Sequence, residues 1–384
     1  FAVEINWPDG KGTDGSIRRF DECVVAEMAA AAVMVVRPIQ QVKLQRNCLC
    51  PWVARAAMLA AMDALGNPSS VHSEGRAAKA IVEKARGQIS EAFGVGAHDI
   101  VFTGSATEAA ALALKDRGFH AGDIEHDAVA AWVQADLPLK TGQVCVAQPA
   151  GTALQLANSE TGIVQTLPEG LGFCDMTQGF GKLPLAFSWS GADMACASAH
   201  KLGGPKGVGC LLLKPGVEVA AQVLGGGQEM GRRAGTENII GIAGFGAAAE
   251  ASARDLSDGK WAIIEKLRNI LEKTLEASGK PLILVGTDSP RLPNTACFAA
   301  PGWKGETQVM QMDLAGFAVS AGSACSSGKV KASRVLRAMG YDEDVASSAI
   351  RVSLGLETTE DEVQQFAKVW LAAYERFLAR KAAR

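Results

Sequence analysis

The chain of 384 residues is too long for one small hydrophobic core, so we expect a large α/β domain with a smaller companion. Its 48% hydrophobic residues and 42 glycines are typical of a well-packed enzyme with many tight turns. The net charge of −3 argues against nucleic acid or an acidic membrane surface as a partner. No apolar run reaches the roughly 20 residues of a membrane span.

Up to about residue 250, strand-like and helix-like segments alternate. Residues 76–93 carry apolar side chains at helical spacing and end at Gly94, which predicts a helix with a glycine cap. A strand is predicted at 100–103 and a helix at 106–115. Strands separated by helices predict a largely parallel sheet covered on both faces. Further strands are predicted at 144–146, 172–174, 194–197 and 208–213.

The pattern changes after residue 250. We predict helices at 260–278 and 307–314, a final helix from Thr359, and strands at 282–285, 294–299, 317–320 and 350–353. The sequence therefore predicts a large domain at 55–250 and a smaller α/β domain at 251–384.

Residues 1–54 fit neither pattern and form an atypical segment. The apolar stretch 28–36 lies too far from the start for a signal peptide and follows acidic residues. Nine cysteines without a Cys-x-x-Cys pair suit a reducing cytoplasm, where we expect eight of them to be core residues.

Ser198–Gly209 is the most informative segment, because the first of its two lysines, Lys201, follows a serine and a histidine and precedes several glycines. This layout suits a lysine that binds an aldehyde cofactor as a Schiff base while hydroxyl and backbone donors hold a phosphate. The alternative is a surface lysine in a Gly-Pro hairpin turn.

Other segments favour the cofactor site. Asp175 follows an apolar strand, which places a carboxylate where open α/β sheets bind ligands, and Gln178 lies one turn later. Residues 104–108 join a strand to a helix and present backbone N–H groups to an anion. His126 could lie against a ring, although a lone histidine is more often an ordinary surface or core residue.

In these segments the chain resembles a cysteine desulfurase of the class V, PLP-dependent aminotransferase-fold family. The resemblance covers about residues 55 to 384 and implies fold type I, a large mostly parallel-sheet domain plus a smaller C-terminal α/β domain. The matching segments occur in family order: Asn67–His72, Gly75–Arg76, Thr103–Glu108, Ile124–His126, Asn158–Gly162, Asp175–Gln178, Gly181–Pro184, Ser198–Lys201, Gly225–Thr236, Ser323–Gly328 and Ile350–Gly355.

The resemblance also implies roles for single residues. Lys201 would bind pyridoxal 5'-phosphate and move the Cα proton, Asp175 would pair with the pyridinium nitrogen, and His126 would stack on the ring. Arg351 would bind the substrate carboxylate, a task that suits a bidentate guanidinium. Further cofactor contacts would come from Ala106, Thr107, Asn158, Gln178, Ser198, His200 and, in a homodimer with shared active sites, Thr236 of the second subunit.

Cys325 lies in a loop of small residues, an exposed setting that permits the thiolate form better than an apolar core. The resemblance implies that this thiolate attacks the sulfur of L-cysteine, giving L-alanine and an enzyme persulfide. The sulfur would then pass to an iron–sulfur scaffold protein, with a transient iron–sulfur contact at Cys325.

Three alternatives remain open at this point. A selenocysteine lyase shares the fold, an aminotransferase has no use for the Cys325 thiol, and a non-catalytic scaffold would have no need for Lys201, Asp175 and Cys325 together. Within the family, the continuation after Cys325 resembles the nitrogen-fixation branch, which implies supply of sulfur for nitrogenase.

The chain departs from the family pattern at two places. Ser159 stands where the family usually has the asparagine that touches the ring hydroxyl, and Asn158 is its neighbour. Residues 44–51 lack the Asp-Asn-Ala-Thr-Thr-like turn that lines the family's substrate pocket. We hypothesise that the first fifty-odd residues derive from a shifted reading frame or a misassigned start.

Overall fold

The computed structural model describes residues 52–322 and 332–383. The predicted alternation of strands and helices is confirmed only in part, because the strands between residues 134 and 213 follow one another without an intervening α-helix. The strands are β1 (Ile100–Thr103), β2 (His120–Gly122), β3 (Gln134–Leu137), β4 (Leu139–Lys140), β5 (Gln143–Val144), β6 (Ala153–Gln155), β7 (Leu171–Asp175), β8 (Ala192–Ser198), β9 (Gly209–Leu213), β10 (Ile283–Leu284), β11 (Thr295–Ala299), β12 (Ser320–Ala321) and β13 (Ala349–Ser353). The helices are α1 (Trp52–Met62), α2 (Ser73–Phe93), α3 (Ala106–Leu114), α4 (Asp127–Ala130), α5 (Ile239–Ser257), α6 (Lys260–Ala277), α7 (Gly305–Leu314), α8 (Arg334–Ala338), α9 (Glu343–Ser348) and α10 (Glu360–Ala382).

A five-stranded sheet with the order β1-β9-β8-β7-β6 forms the centre of the first half. Strands β6, β7 and β8 are parallel, whereas β9 is antiparallel to both β8 and β1. The prediction of a largely parallel sheet is therefore confirmed, with β9 as the exception. The connection from β8 to β9 is too short for the crossover that a parallel pair requires.

Helices cover both faces of this sheet, because its strands are apolar on both sides. Alternate residues of β9 show the division: Leu212 packs towards α2 and α5, whereas Leu211 packs towards α3. Helix α2 is capped by Gly94, whose φ of 64° is the left-handed conformation of a glycine cap, as the sequence predicts.

The second sheet has the order β10-β11-β13-β12, and all its pairs are antiparallel. Side chains of α6 and α10 form its core, which includes Phe298, Trp303 and Trp370. The strand expected at 317–320 is wrong except at Ser320, and that expected at 144–146 is limited to β5, which pairs with β4 in a hairpin.

The division into two domains near residue 250 stays a prediction. Helix α5 continues without a break through that residue, and the described residues belong to one compact unit. The hypothesis about residues 1–54 concerns mainly residues that lie outside the described part of the chain. Within the described ranges, no helix combines the length and apolarity that crossing a bilayer requires.

Candidate active site

The predicted site residues of the first half meet at one edge of the central sheet. Strands β1, β6, β7 and β8 share one direction, and a parallel bridge between His120 and Thr152 gives β2 the same direction as β6. The carboxyl ends of these strands lead into the segments that carry the site residues. Open α/β sheets bind their ligands at this edge.

Asp175 ends β7 with its carboxylate held by two donors. Its Oδ1 accepts the backbone N–H of Thr177 at 2.9 Å and the thiol of Cys196 at 3.5 Å. Burial and the charge of Asp175 raise the pKa of the Cys196 thiol, so this thiol stays protonated and donates. The carboxylate is thus oriented by β8, the neighbouring strand.

The segment after β8 places Ser198, His200 and Lys201 within one short turn. The Ser198 hydroxyl lies 2.9 Å from Nδ1 of His200. Burial, followed by the charges of Lys201 and Lys206, lowers the pKa of His200 to about 4. The imidazole is therefore neutral at pH 7, and its contact with Ser198 is a hydrogen bond between neutral groups.

The turn between β1 and α3 is suited to binding a phosphate. Ala106 and Thr107 are the first residues of α3, and the first N–H groups of a helix have no partner within the helix. Gly209 of β9 lies against this turn: a Cβ at this position would stand 2.7 Å from the carbonyl carbon of Ser105. Glycine at 209 thus permits the close approach of β9.

Glu108 connects this turn to the glycine-rich loop 225–236. One carboxylate oxygen accepts the N–H of Gly104 at 2.6 Å, and the other accepts Nε of Arg233 at 2.8 Å. Thr236 follows in the same loop and is exposed. Sequence reasoning did not single out Glu108 or Arg233, because their pairing becomes visible only in three dimensions.

His126 lies just before α4 and caps it: Nδ1 accepts the N–H of Ala128 at 3.1 Å. The preceding residue, Glu125, is fully buried, and its Oε1 accepts the N–H of Gln155 in β6 at 2.9 Å. Among the described residues its Oε2 has no hydrogen-bond partner. Burial, with a smaller contribution from Asp175, raises the pKa of Glu125 well above its ordinary value.

Asn158 is buried and already engaged by the protein. Its Oδ1 accepts the N–H groups of Glu160 and Thr161 at 2.9 Å, and its Nδ2 donates to the carbonyl of Ile124 at 3.0 Å. Its amide stabilises the loop after β6, and its predicted contact with the cofactor stays a prediction. Gln178 lies half-buried in the turn after Asp175.

Arg351 reaches this edge from β13 of the second sheet. Its Nη1 donates to the carbonyl oxygen of Ser159 at 2.5 Å, and its Nη2 donates to the hydroxyl of Ser320 at 3.1 Å. A cavity of about 50 Å³ is lined by His126, Glu160 and Arg351, among others. A mainly apolar cavity of about 650 Å³ elsewhere has none of the predicted site residues in its lining.

Cys325 lies outside the described residues, as does the iron contact expected there. In the described ranges no three His, Cys, Asp or Glu side chains are grouped as metal ligands. Cys174, Cys196, Cys210 and Cys297 are buried, and burial raises the pKa of each thiol. Cys145 is exposed, so the expectation of a core position is wrong for this cysteine.

Comparison with known proteins agrees with this geometry. Residues 49–136 and 143–366 match the model of the family "Aminotransferase class-V". A protein named cysteine desulfurase from Klebsiella pneumoniae is 37% identical over 361 residues, 85% of this chain and 90% of that protein. One of the same name from Enterobacter agglomerans is 36% identical over 350 residues, 82% and 87% respectively. The solved structure of a NifS-like protein from Rickettsia africae is similar with a TM-score of 0.79 and 29% identity, covering 87% of this chain and 99% of that one.

The chain belongs to the class-V aminotransferase family and has its PLP-dependent transferase fold. It is a PLP-dependent enzyme, and the residues at the sheet edge fit this cofactor. Lys201 supplies an amine, Asp175 a carboxylate for a ring nitrogen, and the start of α3 supplies donors for a phosphate.

Proposed function

We propose that the chain is a cysteine desulfurase, which takes the sulfur from L-cysteine as a persulfide on Cys325 and releases L-alanine. The observation that carries the proposal is the approach of Arg351, from the second sheet, to the edge that holds Lys201 and Asp175. An amine, a carboxylate and a carboxylate-binding guanidinium at one place suit chemistry on an amino acid. Its relatives include proteins named cysteine desulfurase, and this supports L-cysteine as the substrate.

Each residue of the site has its own role in the reaction. PLP, when bound, withdraws electrons from the Cα–H bond of an amino acid. Lys201 holds the cofactor and then moves the Cα proton, Asp175 keeps the ring nitrogen protonated, and His126 lies against the ring. Arg351 binds the substrate carboxylate. The phosphate is held by Ala106, Thr107, Ser198 and His200, and the ring hydroxyl by Gln178.

The sulfur moves in one displacement. The Cys325 thiolate attacks the sulfur of L-cysteine, an S–S bond forms, and the Cβ–S bond breaks. The electron pair of the broken bond stays on the carbon. This carbon takes up a proton, and L-alanine is released. One L-cysteine and one thiol thus give one L-alanine and one persulfide.

The test uses the purified holoenzyme with L-cysteine. We expect L-alanine in solution and a mass increase of one sulfur atom on the Cys325 peptide. Cys325→Ala should keep the visible absorption of the cofactor and form no persulfide or L-alanine, whereas Lys201→Ala should lose the ordinary absorption band. Full L-alanine formation by Cys325→Ala would overturn the proposal. A marked preference for selenocysteine, when both substrates are offered together, would instead show a selenocysteine lyase.

The enzyme acts as a homodimer in which Thr236 reaches the phosphate of the partner subunit. Support comes from apolar side chains that are exposed around two segments, the loop 225–236 and residues 65–71. The two segments meet where Gln228 contacts Ser69. Exposed apolar side chains gathered at one place are typical of an interface between proteins. The exposed side chains are Leu65, Val71, Leu224 and Met230. Sedimentation should give a dimer. A mixture of Lys201→Ala and Thr236→Ala subunits should regain part of the activity, and a fully active monomer would contradict this proposal.

The sulfur acceptor is an iron–sulfur scaffold protein in the cytoplasm, with nitrogenase as the final recipient. The scattered buried thiols favour a reducing compartment. Deletion of the coding sequence in its natural host should abolish growth on dinitrogen and spare growth on ammonium. Loss of growth on both nitrogen sources would instead indicate a housekeeping role.

A further inference from the structure

Arg334, the first residue of α8, contacts the segment that carries His126. Its Nη1 donates to Asp123 Oδ1, and its Nη2 donates to the carbonyl oxygen of Glu125 at 2.7 Å and to Asp127 Oδ1 at 3.2 Å. All three acceptors lie within three residues of His126, on both sides of it. One guanidinium therefore holds the whole turn.

This turn needs support from outside. Helix α4 has only four residues, and a single helical turn is unstable without tertiary contacts. The buried carboxyl of Glu125 attaches the turn to Gln155 of β6, and Arg334 attaches it to the second half of the chain. The position of His126 is thus set from two directions.

Ser333, the neighbour of Arg334, fixes the start of α8. It is fully buried, its hydroxyl donates to Glu160 Oε2 at 2.5 Å, and it accepts the N–H of Leu336 at 3.0 Å. The guanidinium of Arg334 therefore extends from an anchored backbone. A freely moving arginine would not give a defined position to the residues that it contacts.

An ordinary surface ion pair does not account for these contacts. The Arg334 side chain is 37% exposed, and ion pairs at such positions contribute little to stability. Arg334 reaches the Glu125 carbonyl and two carboxylates from two separate nitrogens of a planar guanidinium, whereas a lysine has a single nitrogen.

We infer that Arg334 is a positioning residue for His126, which rests on the proposed placement of His126 against the cofactor ring. Arg334 bridges α8 and residues 123–127 and keeps His126 in the orientation that the reaction uses. The residue does not touch the reacting atoms.

The test compares Arg334→Met and Arg334→Lys with Arg337→Met. Arg337 lies on the same helix and makes only exposed contacts, including an ion pair with Glu343 at 3.7 Å, so it serves as the matched control. Arg334→Met should lower kcat by roughly tenfold or more with little change in KM for L-cysteine. Arg334→Lys should restore only part of kcat, and Arg337→Met should resemble the wild type.

A double-mutant cycle separates positioning from general destabilisation. In a His126→Ala background, Arg334→Met should cause little further loss of kcat, because its effect passes through His126. An equal loss in both backgrounds would overturn the inference. The circular dichroism of the cofactor band gives a second measurement: Arg334→Met should change it and Arg337→Met should not. This signal needs no turnover, so it tests the inference even if L-cysteine proves not to be the substrate, and an unchanged band would overturn it.

Discussion

Lys182 donates a hydrogen bond from Nζ to the backbone carbonyl of Gln178 at 2.6 Å, at a position where it is only 5% exposed. Burial, followed by repulsion from Lys201 and Arg351, lowers the pKa of Lys182 to about 7. The lysine thus closes the turn that follows Asp175, and folding favours its neutral form.

This burial makes stability depend on pH in a defined direction. Between pH 7 and the ordinary lysine value of 10.5, the unfolded chain binds one more proton at Lys182 than the folded chain does. The free energy of unfolding should therefore rise with pH, by up to about 1.4 kcal/mol per pH unit from this residue. Lys182→Met should be more stable than the wild type at pH 7, with the difference shrinking towards pH 10. Urea unfolding of the apoprotein measures this, with the exposed Lys214→Met as control, and equal slopes for wild type and Lys182→Met would contradict it.

The titration of Glu125 changes the free energy of unfolding in the opposite direction. Its raised pKa means that, above the ordinary value of 4.5, the folded chain retains a proton that the unfolded chain has lost, so its contribution to stability falls as pH rises. Glu125→Gln keeps an acceptor for the Gln155 N–H and should keep the cofactor band, while gaining stability over the wild type as pH rises. Glu125→Ala leaves that N–H without its acceptor and should cost about 1–3 kcal/mol. Urea unfolding at several pH values, with exposed Glu83→Gln as control, checks both, and equal pH profiles for Glu125→Gln and wild type would contradict this account.

The ion pair between Glu108 and Arg233 should matter for cofactor affinity. Glu108→Gln removes the charge that links the turn between β1 and α3 to the loop 225–236, so we expect the Kd for PLP to rise several-fold. Glu218→Gln is the matched control, because Glu218 pairs with Arg232 at 3.6 Å while being 76% exposed. Titration of the apoprotein with PLP gives both values, and an unchanged Kd in Glu108→Gln would show that the pair is only structural.

Gly209→Ala should weaken cofactor binding by displacing the turn between β1 and α3. The new Cβ would stand 2.7 Å from the Ser105 carbonyl carbon and 2.9 Å from the Ala106 nitrogen, and these backbone atoms cannot rotate away. We expect a stability cost of about 1–3 kcal/mol and a higher Kd for PLP. Gly151→Ala, where a Cβ meets no atom within 4 Å, is the control. Wild-type affinity in Gly209→Ala would mean that the turn adapts.

Local patterns predicted most elements well, and their failures have physical reasons. The sequence predicts α2 because this helix has one apolar face and is followed by a glycine, whereas no local pattern indicates α5. Helix α5 is rich in alanine and glycine and buried on several sides, so its sequence lacks an amphipathic period. Strand β6 has only three residues, too few for an alternating pattern.

The sequence motifs predict the part of the site that lies at the ends of strands. Asp175 and Lys201 lie at strand ends, which sequence can indicate. The contacts of Glu125, Lys182 and Arg334 depend on residues distant in the chain, such as Gln155, and no local pattern encodes them. The orientation of β9 likewise follows from a connection length and not from its own residues.

The fixation of Arg351 by Ser159 and Ser320 has a consequence for chain length in the substrate. Because the guanidinium is anchored at two points, a substrate carboxylate bound there as we propose would have a fixed position, and the reactive sulfur would have to lie at a set number of bonds from it. Homocysteine, which is longer by one methylene, would bind its carboxylate at the same place, and its sulfur would lie beyond the position required for the reaction. Under the proposed function, discrimination between the two thiols would arise from the fixed position of this arginine and would need no contact with the sulfur itself.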